Sequence, residues 1–322
     1  MRQDVREWFA TRTYNGRQWS PEQLVERKGT TTVSVVLPAR DEASTVGTIV
    51  SALRRELMDG APLIDELVVI DSDSTDGTAA VAAAAGARVH RQDEILPAHG
   101  NIPGKGEALW KSLAVTSGDV LAFIDADLHE FDAGFAVGLL GPLLTEPGVQ
   151  FVKSCYDRPL HDGVTVLPAG GGRVTELVAR PLLNLFWPQL AGLVQPLAGE
   201  YAGRRELLER VPFVSGYGVE IAMLIDVLET VGLDAMAQVD LGVRSHRNSS
   251  DAALARMAAQ IQLTVQARLR CEGPLGRSGG SLTQFLRQGD RFLDETHEIS
   301  VQERPPMAEI PEYTAVPAGR AA

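Results

Sequence analysis

Two acidic residues, Asp125 and Asp127, follow the apolar run at 120–124 with a single alanine between them. The run predicts a buried β-strand, and an open α/β sheet binds its ligands at the carboxyl ends of such strands. Because side chains alternate along an extended chain, both carboxylates are expected on the same side, with Ala126 small enough to let a metal-bound diphosphate approach. Two hard oxygen ligands suit Mg²⁺ or Mn²⁺. The pair therefore predicts a metal site, although an N-cap and a solvated turn would show the same pattern.

A lysine between two glycines, in the stretch 103–107, is a second candidate. Glycines let the backbone approach a diphosphate, and the ammonium of Lys105 would balance its charge at a helix N-terminus. The spacing is not that of a Walker A loop. No G-x-G-x-x-G follows the first strand either, which argues against a dinucleotide-dependent dehydrogenase.

Polar residues also follow two earlier strands. Residues 37–42 end the first of these strands, where Asp41 or Glu42 could bind a ribose or a base, or serve as first-turn acids of a helix. Residues 71–78 follow the second strand and are rich in side chains that cap helices or bind hydroxyls and amides. Both segments should lie at the same sheet edge as the acidic pair.

Two further clusters occur in the second half of the chain. A glycine-rich loop at 167–172 leads into Arg173 and Thr175, where backbone amides, a guanidinium and a hydroxyl would converge on a phosphate. A flexible loop with a surface arginine is the alternative. Residues 244–248 hold two arginines, a histidine and an asparagine, a basic cluster of the kind that anionic ligands require on an acidic protein.

The elements that must position these residues alternate in the first half. Strands are predicted at 33–38, 67–71, 87–91 and 120–124, and helices at 43–57, from 78 onwards and at 107–117. This alternation predicts parallel βαβ units with right-handed crossovers. Ser20, Pro21 and Gln23 predict a short leading helix with a capping box.

Beyond Asp127 the alternation is looser. We predict an amphipathic helix at 131–144, a strand at 149–156, helices at 173–187, 219–231 and 251–270, and a late strand at 237–241. The apolar stretch 177–197 could be core or a dimer face. The tail at 303–322, with its prolines and small residues, is expected to be poorly ordered.

The composition is that of a soluble globular protein of 322 residues, 44% hydrophobic and 22% charged. A formal net charge of −12 argues against sequence-independent nucleic-acid binding. No apolar run is long enough for a membrane span and the N-terminus is charged where a signal peptide would be apolar, so a cytoplasmic location is expected. Cys155 and Cys271 lack metal-type spacing and are expected to be small buried hydrophobes.

Four motifs at consecutive strand ends resemble those of the family 2 GT-A glycosyltransferases: PAxxE from Pro38, DSxSxDGT from Asp71, GKG from Gly104 and DAD from Asp125. More narrowly, PGKGEALW at 103–110, QPLAGEY at 195–201 and SGYGVE at 215–220 resemble the actinobacterial glucosyl-3-phosphoglycerate synthase family. The resemblance extends over residues 15–300. It departs from the family at 40–41, where relatives often have Leu-Asn.

The resemblance implies a GT-A fold of the α/β class. Residues 1–130, with a helical extension at 1–30, would form a Rossmann-like, mostly parallel half-sheet that binds the nucleotide. Residues 131–302, with the long C-terminal helix, would bind the acceptor. The implied reaction is retaining, metal-dependent transfer of glucose from UDP-glucose to the 2-hydroxyl of 3-phosphoglycerate, for methylglucose lipopolysaccharide synthesis. The implied cofactor is Mg²⁺, with Mn²⁺ or Co²⁺ as alternatives, and the implied assembly is a homodimer.

Site residues follow from the same resemblance. The implied nucleotide-sugar site comprises Pro38, Ala39, Arg40, Glu42, Ser72, Lys105, Asp125, Ala126, Glu220 and Arg244. The implied acceptor site comprises Gly172, Arg173, Thr175, Tyr217 and Asn248, and the implied metal ligands are Asp127 and His246. The implied catalytic set is Lys105, Asp127, Glu220 and the backbone carbonyl of Leu197. In the family view the acceptor attacks from the front face, the leaving phosphate takes its proton, and that carbonyl steadies the developing positive charge.

Two other interpretations remain. A related transferase could use another acceptor, such as glycerate or a polyprenyl phosphate. A catalytically silent nucleotide-sugar sensor would keep the same fold without turnover.

Overall fold

The structure of the chain, a computed structural model, describes residues 1–157, 160–162, 165–167, 172–244, 250–269, 279–288 and 291–315. The helices in chain order are α1 (Gln3–Arg12), α2 (Pro21–Lys28), α3 (Val46–Arg54), α4 (Thr78–Ala84), α5 (Lys105–Val115), α6 (Gly134–Thr145), α7 (Arg180–Phe186), α8 (Arg205–Leu208), α9 (Val219–Val231), α10 (Asp251–Arg268) and α11 (Pro311–Thr314). The wider turns of a π-helix continue α3 through Arg55–Gly60 and precede α7 at Thr175–Ala179.

The strands in chain order are β1 (Thr13–Asn15), β2 (Val33–Ala39), β3 (Glu66–Asp71), β4 (Arg88–Arg91), β5 (Val120–Phe123), β6 (Phe151–Asp157), β7 (Leu160–Asp162), β8 (Thr165–Leu167), β9 (Tyr201–Arg204), β10 (Phe213–Val214), β11 (Met236–Val243), β12 (Gly279–Gln288), β13 (Arg291–Ser300) and β14 (Glu303–Arg304).

Eight of these strands form one sheet in the order β1-β11-β6-β9-β5-β2-β3-β4. Strand β9 runs antiparallel to both of its neighbours, β5 and β6. All other neighbouring pairs in this sheet are parallel. The sheet is therefore mostly parallel, as the sequence predicts, with one reversed strand near its middle.

Helices cover both faces of the sheet, because alternate strand residues enter two separate cores. In β2, Val35 and Leu37 point into one core and Val36 into the other. Side chains of α2, α3, α4 and α6 complete the first core. Side chains of α1, α5, α7, α9 and α10 complete the second. The architecture is thus a three-layer α/β fold, the arrangement that parallel strands buried on both faces require.

The strands predicted in the first half match β2, β3, β4 and β5 to within one residue at each end. The leading helix begins at Pro21 with the expected capping box. Gln23 donates its backbone N–H to Ser20 Oγ at 3.2 Å, and Gln23 Oε1 accepts from the Ser20 N–H at 2.9 Å. Local capping chemistry, apolar runs and the alternation of strands with helices were sufficient to locate these elements.

Three features were missed or described wrongly by the sequence analysis. Helix α6 is buried on nearly all sides rather than amphipathic. The short strand β9 was not predicted, because four residues with a central Ala-Gly carry little β-propensity. The two ten-residue strands β12 and β13 were not predicted either. They form an antiparallel pair in which Gly279 lies opposite Ser300 and Gln288 lies opposite Arg291.

The expectation of a poorly ordered tail from residue 303 is wrong for residues 303–315. Strand β14 pairs with β10, and the backbone that follows packs on α5. Arg304 forms a two-point ion pair with the buried carboxylate of Glu107, at 2.6 and 2.7 Å. The indole of Trp110 donates to the Pro305 carbonyl at 2.8 Å, and Met307 is fully buried. We call residues 303–315 the C-terminal strap; residues 316–322 lie outside the described residues.

No helix in the described part of the chain is both long enough and apolar enough to cross a bilayer. Cys155 is buried and unpaired, as predicted, and burial raises the pKa of its thiol to about 12. Cys271 lies outside the described residues.

Candidate active site

The candidate site lies at one edge of the central sheet. The parallel strands β2, β3 and β5 all have their carboxyl ends there. Because β9 is reversed, its first residue, Tyr201, pairs with Phe123 at the end of β5. The 195–200 loop that enters β9 therefore arrives at the edge where the acidic pair leaves β5. A reversed strand thus brings a second part of the chain to the ligand-binding edge.

The acidic pair meets one guanidinium. Arg244 Nη2 lies 3.2 Å from Asp125 Oδ2 and 3.1 Å from Asp127 Oδ1. Both carboxylates therefore point to the same side, as predicted, although Ala126 and Asp127 lie in a turn and not in an extended strand. The Asp127 side chain is 54% exposed, whereas that of Asp125 is 20% exposed. Of the two, Asp127 is the carboxylate that is open to a further ligand.

Lys105 connects the acidic pair to helix α9. Its Nζ lies 2.5 Å from Asp125 Oδ1 and 3.2 Å from Glu220 Oε1, and it donates to the Gly199 carbonyl at 3.0 Å. Burial opposes the charge on this ammonium, but the two carboxylates outweigh burial and raise the pKa of Lys105. Burial likewise opposes the charge on Asp125, yet Lys105 and Arg244 hold the pKa of Asp125 below its usual range. Both groups are therefore charged at neutral pH.

Two functional residues were missed by the sequence analysis. The fully buried Glu200 pairs with Arg244 Nη1 at 2.5 Å, and Tyr156 Oη accepts from the same nitrogen at 2.8 Å. Tyr156 in turn donates to Glu200 Oε2 at 3.0 Å. These contacts orient the guanidinium toward Asp125 and Asp127. Glu200 lies in the QPLAGEY motif, but its burial beside Arg244 is a tertiary property that no local sequence pattern encodes.

The glycines that flank Lys105 have a packing role that the sequence analysis did not predict. A β-carbon at Gly106 would stand 1.9 Å from the Val214 carbonyl oxygen, and one at Gly104 would stand 2.6 Å from the Gly216 amide nitrogen. Gly104 also has φ +123°, where other residues are strained. These glycines let α5 begin against the 214–216 backbone, and this packing is what aims Lys105 into the site.

The predicted nucleotide residues at the ends of β2 and β3 lie side by side. The Ser72 amide donates to the Ala39 carbonyl at 2.9 Å, and Ser72 Oγ donates to the side chain of Gln92 at 2.8 Å. Glu42 is half-buried, with its amide bound to Thr78 Oγ1 at 2.8 Å. Pro38 is half-buried and Arg40 is exposed.

Two neighbours of these residues have structural roles. The Asp41 carboxylate binds the backbone amide of Thr75 at 2.7 Å, which fixes the 71–78 turn. Ala126 is buried, and its carbonyl accepts from Thr45 Oγ1 at 2.6 Å. The small side chain of Ala126 therefore suits its place in the core.

The predicted acceptor residues are attached to helix α10. Arg173 pairs with Asp251 in the first turn of that helix. The Tyr217 amide donates to Gln260 Oε1 at 3.0 Å, and the Tyr217 ring is 55% exposed. Thr175 is buried. Gly172, three residues before it, has φ +81°. An arginine whose carboxylate partner is solvent-exposed is well suited to exchange that partner for a phosphate.

Two predicted residues, His246 and Asn248, lie outside the described residues. Within the described ranges, no group of three or more metal-ligating side chains comes together. The exposed carboxylate of Asp127 fits one ligand of a hard divalent ion. Leu197 is half-buried in the 195–200 loop.

A family model and a protein of known name both match this chain. Residues 34–155 match the family described as Glycosyl transferase family 2. The glucosyl-3-phosphoglycerate synthase of Mycolicibacterium smegmatis is 48% identical over 303 residues, which cover 94% of this chain and 98% of that protein.

Two crystal structures are similar over nearly their whole length. Mannosyl-3-phosphoglycerate synthase from Rubrobacter xylanophilus has a TM-score of 0.86 at 44% identity, covering 95% of this chain and 97% of that one. Glucosyl-3-phosphoglycerate synthase from Mycobacterium tuberculosis, in complex with Mn²⁺, UDP-glucose and phosphoglyceric acid, has a TM-score of 0.81 at 46% identity, covering 92% and 97% of the two chains.

Proposed function

The chain belongs to the glucosyl-3-phosphoglycerate synthase family of glycosyltransferases, and we propose that it transfers glucose from UDP-glucose to the 2-hydroxyl of 3-phosphoglycerate with retention of configuration. The observation that supports this most strongly is the cluster in which Lys105 and Arg244 bridge Asp125, Asp127 and Glu220. The side chains of Lys105 and Arg244 are positively charged and are held at the sheet edge by acidic residues. Such a cluster is suited to bind a diphosphate together with a metal ion.

The donor occupies the edge formed by β2, β3 and β5. Its uridine contacts the residues at the ends of β2 and β3, and its ribose meets Asp125. The proposed nucleotide-sugar residues are Pro38, Ala39, Arg40, Glu42, Ser72, Lys105, Asp125, Ala126, Glu220 and Arg244. Glu220, in the first turn of α9, accepts hydrogen bonds from the glucose hydroxyls, where the helix dipole stabilises its charge.

Asp127 and His246 are the proposed ligands of Mg²⁺ or Mn²⁺, with Co²⁺ as a substitute. The bound metal neutralises charge that develops on the leaving diphosphate. Lys105 and Arg244, whose charges are fixed by the surrounding acids, add to that stabilisation from the protein side.

The acceptor binds where Arg173 and Tyr217 are attached to α10. The phosphate of 3-phosphoglycerate contacts the backbone at Gly172, the guanidinium of Arg173 and the hydroxyl of Thr175. Tyr217 and Asn248 hold the glycerate end. The bond between glucose C1 and the diphosphate oxygen breaks, and the Leu197 carbonyl steadies the positive charge that develops on the sugar. The acceptor hydroxyl then attacks C1 from the front face, and its proton passes to the leaving diphosphate.

The experiment that tests this function measures released nucleoside diphosphate with Mn²⁺ or Mg²⁺. Reactions contain UDP-glucose and 3-phosphoglycerate, glycerate or no acceptor. Parallel series replace the donor with GDP-glucose or GDP-mannose, because a mannosyl-3-phosphoglycerate synthase is among the similar structures. Release of UDP that requires 3-phosphoglycerate supports the proposal. Release with glycerate alone would reject the acceptor site, and release only from GDP-mannose would reject the donor.

Asp127→Ala separates the enzyme from a silent nucleotide-sugar sensor. An enzyme loses its metal-dependent turnover on this change, whereas a sensor shows no turnover before it. The control is Asp59→Ala, because Asp59 is exposed and lies before β3, at the opposite edge of the sheet. Its turnover should equal that of the wild type.

We further propose a homodimer that works in the cytoplasm and supplies methylglucose lipopolysaccharide synthesis. Leu177 and Leu185 are 76% and 73% exposed, and Phe186 beside them is also exposed, so part of the apolar 177–197 stretch is surface rather than core. Light scattering should give about twice the chain mass of 34.6 kDa. A monomer at assay concentration would contradict the dimer without affecting the reaction.

A further inference from the structure

Three successive carbonyls in the 195–200 loop are each held by a side chain. The Ala198 carbonyl accepts from Lys153 Nζ at 2.5 Å, and the Gly199 carbonyl accepts from Lys105 Nζ at 3.0 Å. The Glu200 carbonyl accepts from Ser154 Oγ at 2.8 Å. A loop whose carbonyls are fixed one after another has little freedom to change its backbone angles. Its geometry is therefore set by residues outside the loop.

Lys153 is the unusual member of this set. It lies in the middle of β6, fully buried, with its ammonium 4.8 Å from the centroid of the Tyr201 ring. Lys105 is paired with two carboxylates, whereas the described residues place no carboxylate within ion-pair distance of Lys153. Burial lowers the pKa of Lys153 to about 8. An ammonium desolvated in this way is costly, and an apolar side chain of the same length would be the cheaper choice.

We propose that Lys153 is a positioning residue that fixes the Ala198 carbonyl and thereby the backbone of Leu197, whose carbonyl faces the reacting sugar in the proposed reaction. The inference rests on the proposed function, because it assigns Lys153 a role in that same transfer. Lys153 acts through the loop and touches neither substrate. Its loss should therefore affect the chemical step more than the binding of either substrate.

The test compares Lys153→Met with Lys153→Arg in the full chain. Methionine keeps an unbranched side chain of similar length but has no donor, whereas arginine keeps a charged donor. We expect Lys153→Met to lower kcat by about 10²-fold, the size of effect that a small misplacement of a reacting group causes. The KM for UDP-glucose and that for 3-phosphoglycerate should stay within about twofold of wild type, and Lys153→Arg should recover part of the lost kcat.

The control is Lys28→Met. Lys28 is also buried and also donates to a backbone carbonyl, that of Pro62 at 3.3 Å, while pairing with Asp65 at 2.6 Å. It lies at the opposite edge of the sheet, before β2 begins. Lys28→Met should change the melting temperature but not kcat. A merely structural role for Lys153 would give the same result.

Two outcomes decide the proposal for Lys153. Selective loss of kcat in Lys153→Met, partly restored by arginine, supports the proposal. Wild-type kcat in a folded Lys153→Met overturns it. If that variant does not fold, Lys153→Gln, whose amide is one bond too short to reach Ala198, decides by the same criterion. A wild-type enzyme without 3-phosphoglycerate-dependent turnover would instead reject the proposed function, so the two failures are distinguishable.

Discussion

Gly199 lies directly against Asp125, so that a β-carbon at position 199 would stand 2.0 Å from Asp125 Oδ2. The missing methyl group lets the 195–200 loop approach the acid that ends β5. The same ammonium, that of Lys105, binds the Asp125 carboxylate and the Gly199 carbonyl. Two segments that are far apart in the sequence are thus joined through one cation.

Gly199→Ala should therefore reduce turnover strongly. The added methyl group must displace the Asp125 carboxylate, and a displacement of about 1 Å at a site of this kind costs about 10²-fold in rate. Steady-state kinetics with both substrates would measure the loss. Gly280→Ala is the matched control, because nothing lies within 4 Å of a β-carbon there. Equal turnover in the two variants would show that the close contact is unimportant.

Arg173→Met should weaken binding of the acceptor. A hydrogen-bonded guanidinium–phosphate contact is worth about 1.5–3 kcal/mol, so the KM for 3-phosphoglycerate should rise by about tenfold or more, with the KM for UDP-glucose unchanged. Asp251→Asn should act in the opposite direction, because it removes the carboxylate that competes for Arg173. An unchanged acceptor KM in both variants would place the phosphate elsewhere.

Arg304→Met should destabilise the fold. It leaves the fully buried Glu107 without its two-point partner, although Lys111 remains 3.4 Å away. Removing one partner from a buried ion pair costs about 3–5 kcal/mol, and a loss near the lower end is expected in urea unfolding. Adding Glu107→Gln should recover part of it. Arg55→Met, which breaks only the exposed contact with Glu56, is the control and should leave the unfolding midpoint nearly unchanged.

The stability of Lys153→Met relative to wild type should depend on pH. The pKa of Lys153 is about 8 in the folded protein, against 10.5 for an ordinary lysine. Between these values the unfolded chain binds a proton that the folded chain does not, so wild-type stability rises with pH by about 3 kcal/mol over that interval. Any advantage of the methionine variant at pH 7 should shrink by that amount between about pH 8 and about pH 10.5. Parallel stability curves for the two proteins would contradict this.

Local sequence signals located most of the first half of the fold. Apolar runs defined β2, β3 and β5, β4 was predicted from its place after the alanine-rich helix, and the acids that follow β5 were expected at the edge where they lie. The reversed strand β9 could not be predicted, because its place between β5 and β6 is a matter of tertiary pairing. The ordered strap was missed for a related reason. Its prolines favour disorder locally, and its order depends on Glu107, a distant residue.

The site was predicted in part. The resemblance named Lys105, Asp125 and Glu220, which the structure brings together around one ammonium. It did not name Glu200, whose importance comes from its burial beside Arg244, a property that no local pattern encodes. The role of the flanking glycines was also not apparent, because the chain segment that they contact is over 100 residues away.

The ion pair between Glu107 and Arg304 has a consequence for biosynthesis. The two residues are 197 positions apart, so α5 leaves the ribosome long before its partner has been made. Until then, the Glu107 carboxylate has only Lys111 of the same helix as an ion-pair partner, and burying it without its two-point partner is unfavourable. Arg244 likewise follows Asp127 by 117 positions. A nascent chain therefore cannot complete the cluster of Asp125, Asp127 and Arg244 before residue 244 has been translated, or the pair of Glu107 and Arg304 before residue 304 has been translated.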